Sequence, residues 1–290
     1  MTASVYIAGP ASWNRIVLLD HLPDPVPHMQ FALDEWETLG GTSAGKALGL
    51  AGLGNDVRFH ALIGDDADGE RVRAALEASG IDLLAEPADR TERHLNLMTR
   101  EGARVSLYLS TPTDAPEGPD DATIAAMADA DVIVLDLAVR ARRMIPAAKS
   151  TGRPIWTDLH DYDGTAEFQR PFLEAADAVF MNADALGDPL PFMRSVIAGG
   201  ASLAVCTLGA EGAVAIDRFG VEHRVDAVPV DVLDTNGAGD AFLSGVLDAT
   251  LAGADLDAAL RAGAAHASTV LTTRHLHPSL DAVFAGAGRP

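Results

Sequence analysis

Short apolar runs alternate with helical stretches along most of the 290-residue chain. Residues 5–8, 57–63, 131–135, 154–157, 178–181 and 203–207 read as strands, because short apolar runs there end in turn-forming or charged residues. Residues 43–53, 66–79, 122–128, 140–150, 167–175 and 192–198 read as helices. Repeated strand–helix units predict an α/β fold, a mostly parallel sheet with helices on both faces. Ligands of such a sheet sit at the C-terminal ends of its strands. Two regions break the alternation. Residues 93–99 and 104–109 alternate polar and apolar around Glu101-Gly102, which is a hairpin pattern. The Pro-rich stretch 21–27 and the apolar stretch 29–33 read as further extended chain. Together they predict a small sheet outside the main domain. The tail 285–290 is expected to fray.

One stretch carries a chemical pattern. Val232-Leu233-Asp234-Thr235-Asn236-Gly237-Ala238-Gly239-Asp240-Ala241-Phe242 puts a glycine-rich turn ahead of an apolar-periodic helix. Gly237, Ala238 and Gly239 leave their backbone N–H groups uncovered, and the helix dipole is positive there, so the turn can hold an anion such as phosphate. Asp240 is the odd member, since a carboxylate beside an anion site repels the anion. It becomes useful where a group must lose a proton, as an alcohol does when it attacks a phosphoryl group. That role requires Asp240 to face a crevice.

The stretch, followed by a small-residue helix, resembles the C-terminal signature of the ribokinase-like (PfkB) family of sugar and nucleoside kinases. The resemblance implies a three-layer αβα fold with a mostly parallel central sheet. It implies a single domain over 1–290, with a small β lid from segments near 12–38 and 91–111. It also implies phosphoryl transfer from ATP, with Mg²⁺, to a hydroxyl of a sugar, Asp240 acting as general base. The lid would close over the sugar and carry contact between two copies of the chain.

Other positions extend the resemblance, with departures. Asn14 stands where most sugar kinases of the family place an Asp that grips two sugar hydroxyls. Gly40 and Gly41 match the family's Gly-Gly motif beside the sugar, but Gly45 stands where that motif usually carries Asn. The neighbouring Lys46 is expected on a solvated helix face. Asn182 matches the first residue of an Asn-x-x-Glu motif that organises Mg²⁺ and phosphate through water. The Glu position is Ala185, so Asp184 would supply charge from a shifted place. Thr207, Gly209 and Gly212 match a Thr-x-Gly-x-x-Gly turn near the nucleotide phosphates. His266, in a helix resembling the one beside adenine, would edge the purine. Asp234 would orient substrate or a monovalent cation such as K⁺. Asp158, His160, Asp161 and Asp163 cluster after a strand, where contact with ligand or plain loop polarity outranks a dedicated metal site.

Composition narrows the partners. A net charge of −21 speaks against nucleic acid and anionic membrane surfaces. A nucleotide can still bind where backbone dipoles and Mg²⁺ offset its charge. Cys206 is the single cysteine and lies in an apolar strand, so no internal disulfide forms. The N-terminus lacks a basic, apolar leader and no run spans a bilayer, so a cytoplasmic protein is expected. Three other functions stay open, one of them a kinase for another alcohol such as a vitamin precursor, against which the hairpin over 93–109 counts because such members usually lack a lid. Asn14 and Gly45 loosen the sugar assignment toward a nucleoside kinase. The departures at 14, 45 and 185 also suit a catalytically weak sugar- or nucleotide-binding homologue.

Overall fold

The computed structural model describes residues 2–114 and 117–285; the end of the chain from 286, where fraying is expected, lies outside them. The strands are β1 (Ser4–Ala8), β2 (Ser12–Leu19), β3 (Asp34–Gly40), β4 (Asp56–Gly64), β5 (Asp82–Ala88), β6 (Glu92–Thr99), β7 (Arg104–Ser110), β8 (Val132–Leu135), β9 (Ile155–Asp158), β10 (Ala178–Asn182), β11 (Leu203–Thr207), β12 (Ala213–Asp217) and β13 (Glu222–Val225). The helices are α1 (Thr42–Gly52), α2 (Ala67–Ala78), α3 (Asp121–Asp129), α4 (Val139–Thr151), α5 (Arg170–Ala175), α6 (Pro189–Ala198), α7 (Ala238–Leu251), α8 (Leu256–Val270) and α9 (Ser279–Ala285).

The main sheet runs β13-β12-β11-β10-β9-β8-β1-β4-β5. Its pairings are parallel from β11 to β5, and β12 and β13 add an antiparallel edge. Strand β1 shows why three layers form. Val5 and Ile7 belong to one buried cluster, with α1, α2, α7 and α8 residues; Tyr6 and Ala8 belong to a second, with α3, α4 and α6 residues. Successive side chains leave opposite faces of a strand, so a strand apolar at every position needs helices on both sides. The chain passes from β1 to β4 on one side and returns to β8 on the other. The ends of β1 and β8 therefore flank the crevice where such sheets bind ligands.

A second sheet, in the order β3-β2-β6-β7, forms the lid. Strands β2 and β6 are parallel, while the β2–β3 and β6–β7 pairs are antiparallel. The hairpin around Glu101-Gly102 is present, with Gly102 at φ +87°. The extended chain expected over 21–33 is irregular instead, and the strands lie on either side of it. Pro23, Pro25 and Pro27 lack the N–H that a ladder needs. Pairing resumes where the Leu33 N–H donates to the Leu18 carbonyl at 2.8 Å. Among the described residues, no helix is long and apolar enough to cross a membrane.

Candidate active site

Gly237 caps α7 in the left-handed region, at φ +79°, which glycine adopts without a Cβ clash. Asp240 follows in the first turn and is 6% exposed. Helix α7 packs closely on its neighbours because glycines line the contacts. A Cβ at Gly263 of α8 would fall 2.8 Å from the Phe242 carbonyl, and one at Gly49 of α1 would fall 2.7 Å from Ser244 Oγ. This packing sets Asp240 against α1.

Lys46 meets it there. Its ammonium lies 2.5 Å from Asp240 Oδ1, 2.9 Å from Asp136 Oδ2 and 3.3 Å from Asp158 Oδ2. Lys46 is fully buried, not solvated on a helix face as the sequence suggests. Asp136 follows β8, and Asp158 ends β9. Thr42 and Ser43 hydroxyls also donate to Asp136, at 2.7 and 3.0 Å. His160, at φ +53°, places Nε2 3.1 Å from Asp136 Oδ1, and its backbone N–H donates to Asp158 Oδ1 at 2.9 Å. Asp136 and Asp158 are thus spent on a lysine and a histidine, while Asp163 accepts the Thr165 and Ala166 N–H groups. Among the described residues, no group of three or more His, Cys, Asp or Glu side chains is placed to hold a metal ion.

Burial pushes Asp240 up to about 6, while Lys46 and His160 pull it down. Burial opposes the charge of Lys46 too, yet Asp136, Asp240 and Asp158 lift it above the ordinary lysine range. Burial works against Asp136 as well, but Lys46 and His160 hold it far below the usual carboxylate range. His160 rises to about 9: burial disfavours its charge, and Asp158 and Asp136 more than offset that.

Although paired, Asp240 is not shut away. It lines a cavity of about 1100 Å³ that opens between main sheet and lid. Gly237, Gly239 and Asp234 line it beside Asp240. Asp234 is 6% exposed and accepts the Asn236 N–H at 2.8 Å; burial raises its proton affinity. Asn14, on β2, is buried and lines the cavity, with its Oδ1 accepting from Ser12 Oγ at 2.8 Å. Gly41 also lines it, at φ +96°, with the Pro10 carbonyl 2.4 Å from where a Cβ would stand. Gly40 backs Asn14, and Gly45 faces the Asp240 carboxylate. From the lid, Glu92, His94, Arg104, Ser106 and Tyr108 reach the same space.

Residues 32–282 match the family described as pfkB family carbohydrate kinase. The chain belongs to that family. It is 34% identical over 279 residues to the acarbose 7(IV)-phosphotransferase of an Actinoplanes species, across 93% of each chain. The solved structure of a microbiome-derived acarbose kinase, Mak1, superposes with a TM-score of 0.83 at 32% identity, over 94% of each chain. Arabidopsis thaliana ribokinase, complexed with ribose and ATP, superposes with a TM-score of 0.79 over 96% of each chain; at 19% identity that likeness shows the fold.

In this pfkB kinase the residues that match the family's Asn-x-x-Glu and Thr-x-Gly-x-x-Gly motifs sit along adjacent strand ends. Asn182 ends β10 and pairs in register with Thr207, which ends β11. Asn182 and Asp184 line the cavity, and the Asp184 N–H donates to Asn182 Oδ1 at 3.0 Å. Thr207, Gly209 and Gly212 lie one strand further out and do not line it. Gly212, at φ +91°, lets the β13 backbone pass, since a Cβ would fall 2.0 Å from the Val225 carbonyl. His266 also lies outside the cavity lining. It faces Gly49 of α1 and sits 5.7 Å from the His277 ring, with Nε2 buried and unbonded among the described residues.

Sequence reasoning missed Asp136 and the polar lid face. A signal existed for Asp136: it follows an apolar strand directly, the same reason that singles out Asp158. The lid face carried one too, since Glu92, His94 and Asn96 alternate along β6 as the residues of one face must.

Proposed function

We propose that this kinase transfers the γ-phosphoryl group of ATP to a hydroxyl of a carbohydrate with more than one ring, and that Asp240 accepts the proton of that hydroxyl. The observation that carries the reading is the position of Asp240. It lines the cavity at the N-terminal turn of α7, beside the bare backbone of Gly237 and Gly239. Lys46 engages Oδ1, which leaves Oδ2 to receive the proton. Backbone N–H groups of Gly237, Ala238 and Gly239 would steady negative charge on the transferring group, being fixed in place before reaction. A pKa near 6 keeps Asp240 mostly ionised at neutral pH while leaving it basic enough to act.

Asn182 and Asp184 suit Mg²⁺ brought in with ATP. One exposed carboxylate and one amide make no closed cage, and Mg²⁺ bound to phosphates keeps several waters and needs few protein ligands. The ion would offset phosphate charge. Thr207, Gly209 and Gly212, one strand beyond Asn182, would meet the nucleotide phosphates at the cavity's edge, and Asp234 would orient substrate or K⁺ near the turn.

The acceptor side of the cavity supports a substrate larger than one ring. Asn14, Glu92, His94, Ser106 and Tyr108 line it with polar and aromatic groups, and the whole cavity, which ATP would share, is about 1100 Å³ against the ~300–1,000 Å³ typical of small-molecule sites. Tyr108 projects from the lid and packs on His94 at 4.0 Å, offering a ring face to the C–H face of a sugar. The relatives named for acarbose agree with this. Residues 105, 107 and 109 leave the opposite lid face, where Val105, Leu107 and Leu109 are exposed and two copies would meet.

The test is ADP release over a panel of monosaccharides, oligosaccharides including acarbose, and nucleosides, with and without K⁺. Turnover favouring oligosaccharides is expected. Preference for a nucleoside would replace the acceptor assignment, and binding without turnover would support a silent homologue.

A further inference from the structure

Gly45 and Lys46 act on Asp240 from the same turn of α1. A Cβ at position 45 would stand 2.7 Å from Asp240 Oδ2 and 3.1 Å from its Cβ and Cγ. The Asn usual in this motif could not stand there with Asp240 where it is. The bare backbone of Gly45 therefore lets the carboxylate lie against α1, within 2.5 Å of the Lys46 ammonium. Lys46 also draws in Asp136 and Asp158, so one ammonium joins residues from α7, β9 and the turn after β8. Taking that ammonium out of water is costly, and the three carboxylates must offset the loss.

We propose that Lys46 is a positioning residue that keeps Asp240 ionised and aimed into the cavity, and that Gly45 is the bare backbone against which the carboxylate lies. The inference rests on Asp240 being the base. The charged groups facing Asp240 are Lys46 from α1, His160 from the loop after β9, Asp158 from β9 and Asp136 from the turn after β8. Without Lys46, two carboxylates and one imidazolium surround it, and its proton affinity rises. A protonated base cannot take the hydroxyl proton. A merely structural lysine would affect folding and leave the pH response of turnover in place.

The Asp240 carboxyl is titrated by ¹³C NMR in the wild type and in Lys46→Met, alongside the pH profile of kcat. Asp240 is held at about 6 in the intact cluster by burial, against Lys46. An upward shift of about two pH units would leave about one carboxylate in ten ionised at pH 7, a loss of about tenfold in kcat that recovers as pH rises. Acceptor KM should change little. Lys46→Met with Asp136→Asn removes one positive and one negative charge, so the buried cluster keeps its net charge if the single variant fails to fold. Lys46 outweighs Asp136 at Asp240, so the shift keeps its direction and is smaller. Gly45→Ala keeps all charges and puts a methyl against Oδ2; kcat should fall with the melting temperature retained.

An Asp240 titration and acid limb unmoved in the lysine variants would overturn the role of Lys46. Full kcat in Gly45→Ala would overturn that of Gly45. The titration needs no turnover. A shifted titration in a protein that phosphorylates nothing would defeat the kinase reading alone, and unshifted titration in an active enzyme would defeat this proposal alone.

Discussion

The Asn14 side chain fills the space above Gly40: a Cβ at position 40 would fall 2.1 Å from Asn14 Nδ2. Asn14 is thereby pressed from β2 toward the cavity it lines. Gly40→Ala must displace it. The acceptor KM should rise about tenfold, equivalent to about 1.4 kcal/mol of binding, with the ATP KM unchanged. Steady-state kinetics with each substrate varied would check this. An unchanged acceptor KM would remove Asn14 from the binding site.

Arg104 of the lid strand β7 donates a hydrogen bond to Asn236 Oδ1, in the turn that leads to Asp240. Asn236 also donates to Met98 Sδ of β6 at 3.2 Å. These contacts tie the lid to the turn ahead of α7. A closed lid excludes water from the transferring phosphoryl group. Arg104→Ala should therefore raise ADP release without acceptor several-fold relative to release with acceptor. Equal coupling in variant and wild type would show that the lid seals by other contacts.

The elevated pKa of Asp240 is also a statement about stability. Its carboxyl moves from an ordinary 3.8 to about 6, so the ionised form costs the fold about 3 kcal/mol above that pH. The cost fades as pH falls through 6 toward 4 and the native carboxyl takes up its proton. Asp240→Asn should melt several degrees above wild type at pH 7.5, and the gap should narrow near pH 4.5. Melting curves across that range would decide it; a less stable variant at pH 7.5 would mean that ionised Asp240 stabilises the fold and would contradict its raised pKa.

His160 and Asp136 have opposite pH signatures. Histidine raised to about 9 contributes stability that is complete below its ordinary 6.5 and lost as pH climbs through 9. Asp136, held far below its ordinary 3.8, contributes stability above that value that is lost on acidification. His160→Gln should therefore flatten the fall in melting temperature between pH 7 and 10. Asp136→Asn should flatten the acid side. Unaltered alkaline melting in His160→Gln would place the histidine outside the cluster's charge balance.

The layered αβα architecture was legible because strands buried on both faces, such as Val132–Leu135, read as unbroken apolar runs. The turn ahead of α7 was legible because Gly237 and Asp240 stand within four consecutive residues. The lid was half legible. Its β6–β7 hairpin announces itself locally, but β2 is held by Asp34–Gly40 and by the distant Glu92–Thr99, and apolar patterning does not encode those partners. Lys46 was the least legible residue. A lysine is buried only where acids surround it, and here Asp136 and Asp240 lie 90 and 194 positions away.

Single-turnover phosphoryl transfer by Asp240→Asn, with the best oligosaccharide acceptor and saturating ATP, tests most directly whether Asp240 takes the proton. Transfer should slow by about 10²–10⁴-fold while both ligands bind with their wild-type affinities. Transfer at close to the wild-type rate would contradict the account, because another group, or none, would then be removing the proton.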